Sequence, residues 1–200
     1  DANRPMLLSL VQGWGHEARD LGIAADDRAA VRDALDRAAE TCGAILTSGG
    51  ASAGDEDHIS AILRAEGDVT DWRIALKPGR PLMLGMWKGV PVFGMPGNPV
   101  AALVCALIFA RPALSLLAGG GWLERPRLSV PAAFSKRKKA GRHEFLRARL
   151  NAGVPRTGLS VRSLEPAFRF LQQQACDRSD LQQRCCQQWP SRRSWNRLAH

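Results

Sequence analysis

One stretch limits this chain more than any other. The apolar run Gly43-Ala44-Ile45-Leu46 passes directly into Thr47-Ser48-Gly49-Gly50-Ala51-Ser52-Ala53-Gly54-Asp55-Glu56-Asp57, and a helical pattern, His58-Ile59-Ser60-Ala61-Ile62-Leu63-Arg64, follows at once. A buried strand therefore ends in a loop of small residues and three acids, and the loop ends where a helix starts. The glycines let backbone approach a ligand closely, and Ser48 and Ser52 can hydrogen-bond an oxyanion. The acids offer oxygen to a hard cation such as Mg²⁺. Open α/β sheets bind ligands at this place, beyond the carboxyl ends of strands.

The flanking sequence extends the alternation of strand and helix. Met6, Leu7, Leu10, Val11 and Trp14 recur at helical spacing, and Glu17 to Ile23 reads as a short strand. Asp26 or Asp27 can cap a helix from Arg28 to Thr41, and the helix after the acidic loop should stop near Glu66-Gly67. Trp72 to Leu76 reads as a strand running into Lys77-Pro78-Gly79-Arg80-Pro81. Residues 82–86 and 90–95 read as a strand pair around a Lys88-Gly89 turn. Pro96-Gly97-Asn98-Pro99 then opens a long helix to about Leu117. The pattern predicts an α/β fold: three layers, a mostly parallel sheet with helices on both faces. Gly119-Gly120-Gly121 marks a boundary, after which residues 127–134 and 144–150 alternate like strands of a second, β-rich domain. Lys136-Arg137-Lys138-Lys139 reads as a solvated turn between them.

Charge is unevenly placed. Residues 1–125 hold 12 Lys/Arg and 15 Asp/Glu, a balance of −3, whereas residues 126–200 hold 16 and 4, a balance of +12. The basicity lies away from the ligand-type loops, which argues against nucleic acid as the partner. The Val100–Ala118 run is interrupted by Arg111-Pro112 and reads as a buried helix, so no membrane partner is expected. The opening Asp1-Ala2-Asn3-Arg4 lacks the basic-then-apolar order of a signal peptide. Cys42 and Cys105 lie in apolar segments and read as reduced core residues. From about Pro155 glutamine pairs, Cys185-Cys186, Trp189 and Trp195 crowd together with no sustained period. This is either a basic tail without structure or a stretch outside the native reading frame.

Three loops carry residue types suited to an anionic ligand. Asn98 and Pro99 form a helix start, either a plain strand-to-helix turn or a site where backbone amides meet an anion. Lys77 and Arg80 project from a proline-stiffened loop, either as ordinary surface charges or as phosphate ligands. Asp55 and Asp57 are either capping residues or ligands for a metal and its water. The strand ends at Ser48, Lys77 and Pro96 should share one edge of a parallel sheet.

Asp1-Ala2-Asn3-Arg4-Pro5-Met6-Leu7, the loop 47–57, Lys77-Pro78-Gly79-Arg80-Pro81 and Phe93-Gly94-Met95-Pro96-Gly97-Asn98-Pro99-Val100, in this order and spacing, resemble the molybdopterin molybdenumtransferase family (MoeA and the E domain of gephyrin). The resemblance covers residues 1 to about 150, including Gly141-Arg142-His143-Glu144-Phe145-Leu146-Arg147. It implies a MogA/MoaB-like molybdopterin-binding domain over residues 1–120 that lacks its first strand. It further implies the start of a small β-barrel domain at 121–152 and an aberrant, disordered tail at 153–200. The implied enzyme is a cytoplasmic, homodimeric transferase of molybdenum cofactor biosynthesis. It inserts molybdate into adenylylated molybdopterin, with Mg²⁺, and releases AMP. A molybdopterin-binding module without turnover, an adenylyltransferase-like domain and a gephyrin-like scaffold are the alternatives.

By resemblance, Asp57, Asp1 and Lys77 carry catalysis and Asp57 stands at the metal site; Asp55 is the second metal candidate on the loop's own chemistry. Ser48, Gly49, Gly50, Ser52, Gly79, Arg80, Pro96, Gly97, Asn98 and Pro99 bind the pterin nucleotide and oxyanion. Ala101 stands where the family often has serine. Read one nucleotide later, Phe168-Arg169-Phe170-Leu171-Gln172-Gln173 permits Ser-Gly-Phe-Phe-Ser-Ser, which suits the barrel's expected end. A frameshift between about Leu150 and Phe168 is the corresponding expectation, and it would leave the +12 charge without functional meaning.

Overall fold

Asp27 opens the best-formed helix of the chain: its side chain accepts the Ala30 N–H at 3.0 Å, as an N-cap should. Val31, Ala34, Leu35 and Ala38 follow at three- and four-residue steps, and Leu35 and Ala38 are buried. This is α2 in the computed structural model, which describes residues 2–49, 58–73, 76–78, 81–124, 141, 143–152, 159–163 and 170–173. In chain order the elements are α1 (Asn3–Gly13), α2 (Arg28–Thr41), β1 (Ile45–Ser48), α3 (His58–Glu66), β2 (Asp68–Arg73), β3 (Leu76–Lys77), β4 (Pro81–Trp87) and β5 (Val90–Met95). There follow α4 (Pro99–Cys105), a π-helical segment (Ala106–Ala110), α5 (Arg111–Leu117), β6 (His143–Ala152), β7 (Leu159–Ser163) and β8 (Phe170–Gln173). The chain divides into two compact units, Asp1–Ile74 with Pro78–Glu124, and Ala75–Lys77 with Arg125–His200.

The first unit is built on a sheet of order β1-β5-β4-β2. Its α/β character is as expected, but its pairings are mixed: β1 and β5 run parallel, whereas β5–β4 and β4–β2 are antiparallel. The cause is the connection between β4 and β5. Lys88 (φ 47°) and Gly89 (φ 81°) both adopt the left-handed conformation, so Trp87 pairs with Val90 across a two-residue turn. Such a turn joins only antiparallel neighbours.

The two sheet faces are buried by different helices. Ile45, Met83, Trp87 and Val92 pack with Leu35 and Ala38 of α2 and Ile62 and Leu63 of α3. On the alternate positions Leu82, Leu84, Phe93 and Met95 are also buried. On that other side α4 packs against β5, and α1 against α4. Phe93 is fully buried, worth about 2 kcal/mol of apolar transfer.

The long helix from Pro99 is continuous to Leu117 but widens to π geometry just before Pro112. Proline donates no N–H and its ring crowds the carbonyl four residues back, so the turn before it is relaxed. Pro99–Leu117 is long and apolar enough to cross a membrane by length and composition, and half of it is buried inside the protein. It acts here as a core helix.

Two sequence expectations change. Residues 17–23 form no strand: Asp20 Oδ1 accepts the Gly22 N–H at 3.0 Å, and Gly22 has φ 81°, so the chain turns within this stretch. Ile23 is left 75% exposed. β3 belongs to a different sheet, paired parallel with β6 in the second unit. Lys77 therefore does not stand at an edge of the first sheet.

In the second unit β6 also pairs antiparallel with β7 and β8. The described strands of this unit form no closed barrel. β7 and β8 fall within the segment that shows no sustained period in the sequence.

Candidate functional site

Two strand ends and one helix start come together in the first unit. Parallel pairing sets Ser48 beside Met95, and the Gly49 N–H donates to the Met95 carbonyl at 3.2 Å. Gly49 has φ 87°, a conformation that glycine adopts without strain, and the chain turns out of the sheet there. Thr47 Oγ1 donates to the Gly49 carbonyl at 3.3 Å and steadies this exit.

Past Met95, Pro96 is buried and Gly97, Asn98 and Pro99 are exposed. The Asn98 side chain accepts the N–H groups of Val100 (3.0 Å) and Ala101 (3.1 Å), and Pro99 takes the first helical position. The strand-to-helix turn expected from the sequence is therefore present. Asn3, the first residue of α1, is only 2% exposed. Its Nδ2 donates to the carbonyls of Gly97 (2.9 Å) and Pro96 (3.4 Å). Asn3 carries no site role in the sequence reading. The signal was there, a carboxamide at the start of a helix with apolar residues at helical spacing, but its partner lies 94 positions away.

Of the expected site residues, Ser48, Gly49, Pro96, Gly97, Asn98 and Pro99 are thus placed around one sheet edge. Asp1, Gly50, Ser52, Asp55, Asp57, Gly79 and Arg80 lie outside the described residues. Lys77 belongs to the second unit, where its Nζ lies 3.8 Å from Oε1 of the buried Glu144. Among the described residues no three His, Cys, Asp or Glu gather as a metal site.

The surroundings of β1 are open. Among the described residues β1 pairs on one side only. Its other side borders a half-open cavity of about 1320 Å³ lined by residues of α1, α2, α5 and the chain 16–26, and reaching Ser48, Gly49 and His58. The chain 16–26 is tied to α1 by a two-pronged bond, Arg4 Nε to Asp20 Oδ1 (2.9 Å) and Arg4 Nη2 to Asp20 Oδ2 (2.8 Å). The Arg4 guanidinium and the Gly22 N–H hold the Asp20 carboxyl below its ordinary range. His58, at the first position of α3, approaches Asp26 at 3.4 Å.

The chain is similar to proteins of one family. Residues 1–116 match the family described as "Probable molybdopterin binding domain". A molybdopterin molybdenumtransferase of Haemophilus influenzae is 35% identical over 148 residues, 74% of this chain and 37% of that protein. The molybdopterin molybdenumtransferase 2 of Mycobacterium tuberculosis is 34% identical over 157 residues, 76% of this chain and 39% of that protein. Among solved structures, the molybdopterin biosynthesis MoeA protein of Pyrococcus horikosii superposes with a TM-score of 0.64 at 25% identity, covering 83% of this chain and 39% of that one. The chain thus spans well under half the length of the curated relatives it matches. With more than half of its residues matched, the chain belongs to the molybdopterin-binding domain family.

Proposed function

We propose that residues 1–120 bind molybdopterin nucleotide at the rim where β1 and β5 end and α1 begins, and that the protein acts in molybdenum cofactor biosynthesis. The reaction proposed for the whole protein is insertion of molybdate into adenylylated molybdopterin with release of AMP. The observation that carries the reading is the junction itself: Gly49 bonded to Met95, followed immediately by the exposed Gly97 and Asn98 of a capped turn. Exposed backbone amides and small residues suit an anionic ligand that must approach main chain.

Ser48, Gly49, Gly50 and Ser52 would hold the pterin phosphate region, with Pro96–Pro99 beside them. Asp55 and Asp57 offer the carboxylate oxygens that a hard cation such as Mg²⁺ requires. Lys77, Gly79 and Arg80 would meet the oxyanion, and Asp1 the adenylate. Residues 121–152 would begin a barrel domain, and the intact protein would work as a cytoplasmic homodimer.

The test is twofold. Adenylylated molybdopterin is titrated into the chain, and AMP release is followed with molybdate and Mg²⁺ present. Saturable binding with molybdate-dependent release supports the insertase. Binding without release identifies a binding module. No binding of the pterin nucleotide sinks the proposal.

A further inference from the structure

We infer that Asn3 is a positioning residue for this site, fixing which way the backbone amides of the Pro96–Asn98 turn face. The inference rests on the functional reading above and adds a residue to it. Three observations support it.

First, Asn3 is the first residue of α1, after an N-cap position held by Ala2, which has no capping side chain. Asn3 donates its carboxamide across 93 and 94 positions, to Pro96 and Gly97. Second, the side chain is buried and its Nδ2 is committed to two main-chain carbonyls, so turning the carboxamide over would set its oxygen against them.

Third, the peptide group is planar and trans, so its C=O and N–H point in opposite directions. Drawing the Pro96 and Gly97 carbonyls toward α1 turns the N–H groups of Gly97 and Asn98 away from it. Both residues are exposed, so these amides face outward beside the Gly49 exit from β1. An anionic group seated on that rim would meet two successive amides whose direction is set from behind by Asn3. Without that anchor the Gly97 peptide, flanked by a residue with no Cβ, can flip.

The test uses Asn3→Asp, which keeps the size, removes both N–H donors and sets a carboxylate against two carbonyls. Three quantities are measured: the melting temperature, the amide NMR signals of the protein, and the affinity for adenylylated molybdopterin. The expected result is roughly tenfold or greater weakening of binding. The amide signals of Gly97 and Asn98 should move, while those of Leu84 and Trp87 in the sheet stay in place. Should Asn3→Asp fail to fold, Asn3→Ala, which removes the donors without adding charge, is read in the same way. Affinity within about twofold of the unaltered chain overturns the role of Asn3. So does weakened binding accompanied by shifts throughout the sheet, which marks a merely structural residue. If the unaltered chain binds no pterin nucleotide, the functional reading fails, and this inference with it; if it binds and Asn3→Asp binds equally well, only the inference fails.

Discussion

Trp87 donates its indole N–H to Asp36 Oδ1 at 2.8 Å, joining the end of β4 to the middle of α2. Lys88 Nζ approaches the same oxygen at 2.9 Å from the adjoining turn. One carboxylate therefore fastens a helix to a hairpin and serves a tryptophan that is only 2% exposed.

Asp36→Ala should destabilise the first unit by about 1–3 kcal/mol, because the Trp87 N–H is left without its acceptor. Denaturant unfolding followed by tryptophan fluorescence measures this. A loss below about 0.5 kcal/mol would mean that water replaces the carboxylate freely.

The same contacts set a pH dependence. The Lys88 ammonium first, and the Trp87 indole N–H next, hold the Asp36 carboxyl below its ordinary value of 3.8. The folded chain therefore binds fewer protons than the unfolded chain in that range. The stability from this carboxylate is complete above the unfolded value and is lost as pH falls through the folded one. Asp20, lowered by Arg4 and the Gly22 N–H, acts in the same sense but is exposed and screened by salt. Thermal melts should hold steady above about pH 5 and fall below about pH 4, with a shallower fall in Asp36→Asn.

Gly67 ends α3 with its N–H on the Leu63 carbonyl at 2.9 Å. A Cβ there would lie 2.6 Å from the Met86 carbonyl oxygen, a backbone atom that cannot step aside. Gly67→Ala should cost about 1–3 kcal/mol through this overlap. A melting temperature equal to that of the unaltered chain would contradict it.

Asn98→Ala removes the acceptor for two amides at the start of α4. The expected loss is about 1 kcal/mol of stability. Affinity for adenylylated molybdopterin should fall as well. Calorimetric titration beside a chemical melt separates the two effects.

Burial pushes the Cys105 thiol up to about 12. At pH 8 an alkylating reagent should leave Cys105 unmodified in the folded chain, while Cys42, only half buried, is labelled. Mass spectrometry of the peptides reads both. Labelling of Cys105 at the rate of Cys42 would show that the core opens readily.

Much of the fold could be read from local chemistry. Asp27 and Asn98 were recognisable as caps and Lys88-Gly89 as a hairpin turn, because each depends on residues within a few positions. The run 17–23 misled, since its apolar residues suggest pairing while Asp20 and Gly22 bend it locally. Strand order was the other gap. Lys77 sits in a strand-like run, but whether that run joins β5 or β6 depends on residues more than 60 positions further on. The turns around the candidate site were legible because they are local. The Asn3 contact was not, since it exists only once residue 97 has folded against it.

The widened segment before Pro112 has one more consequence. Ala102, Ala106, Ala110 and Leu114 are spaced four apart and all are buried. Steps of four overshoot a regular turn of about 3.6 residues, so a line written only in fours would spiral around the cylinder. The step from 106 to 110 crosses the looser turn, which lags where the others lead, and so brings the line back. The polypeptide here is one unit longer than its span needs, and the surplus is absorbed without rotating either flank.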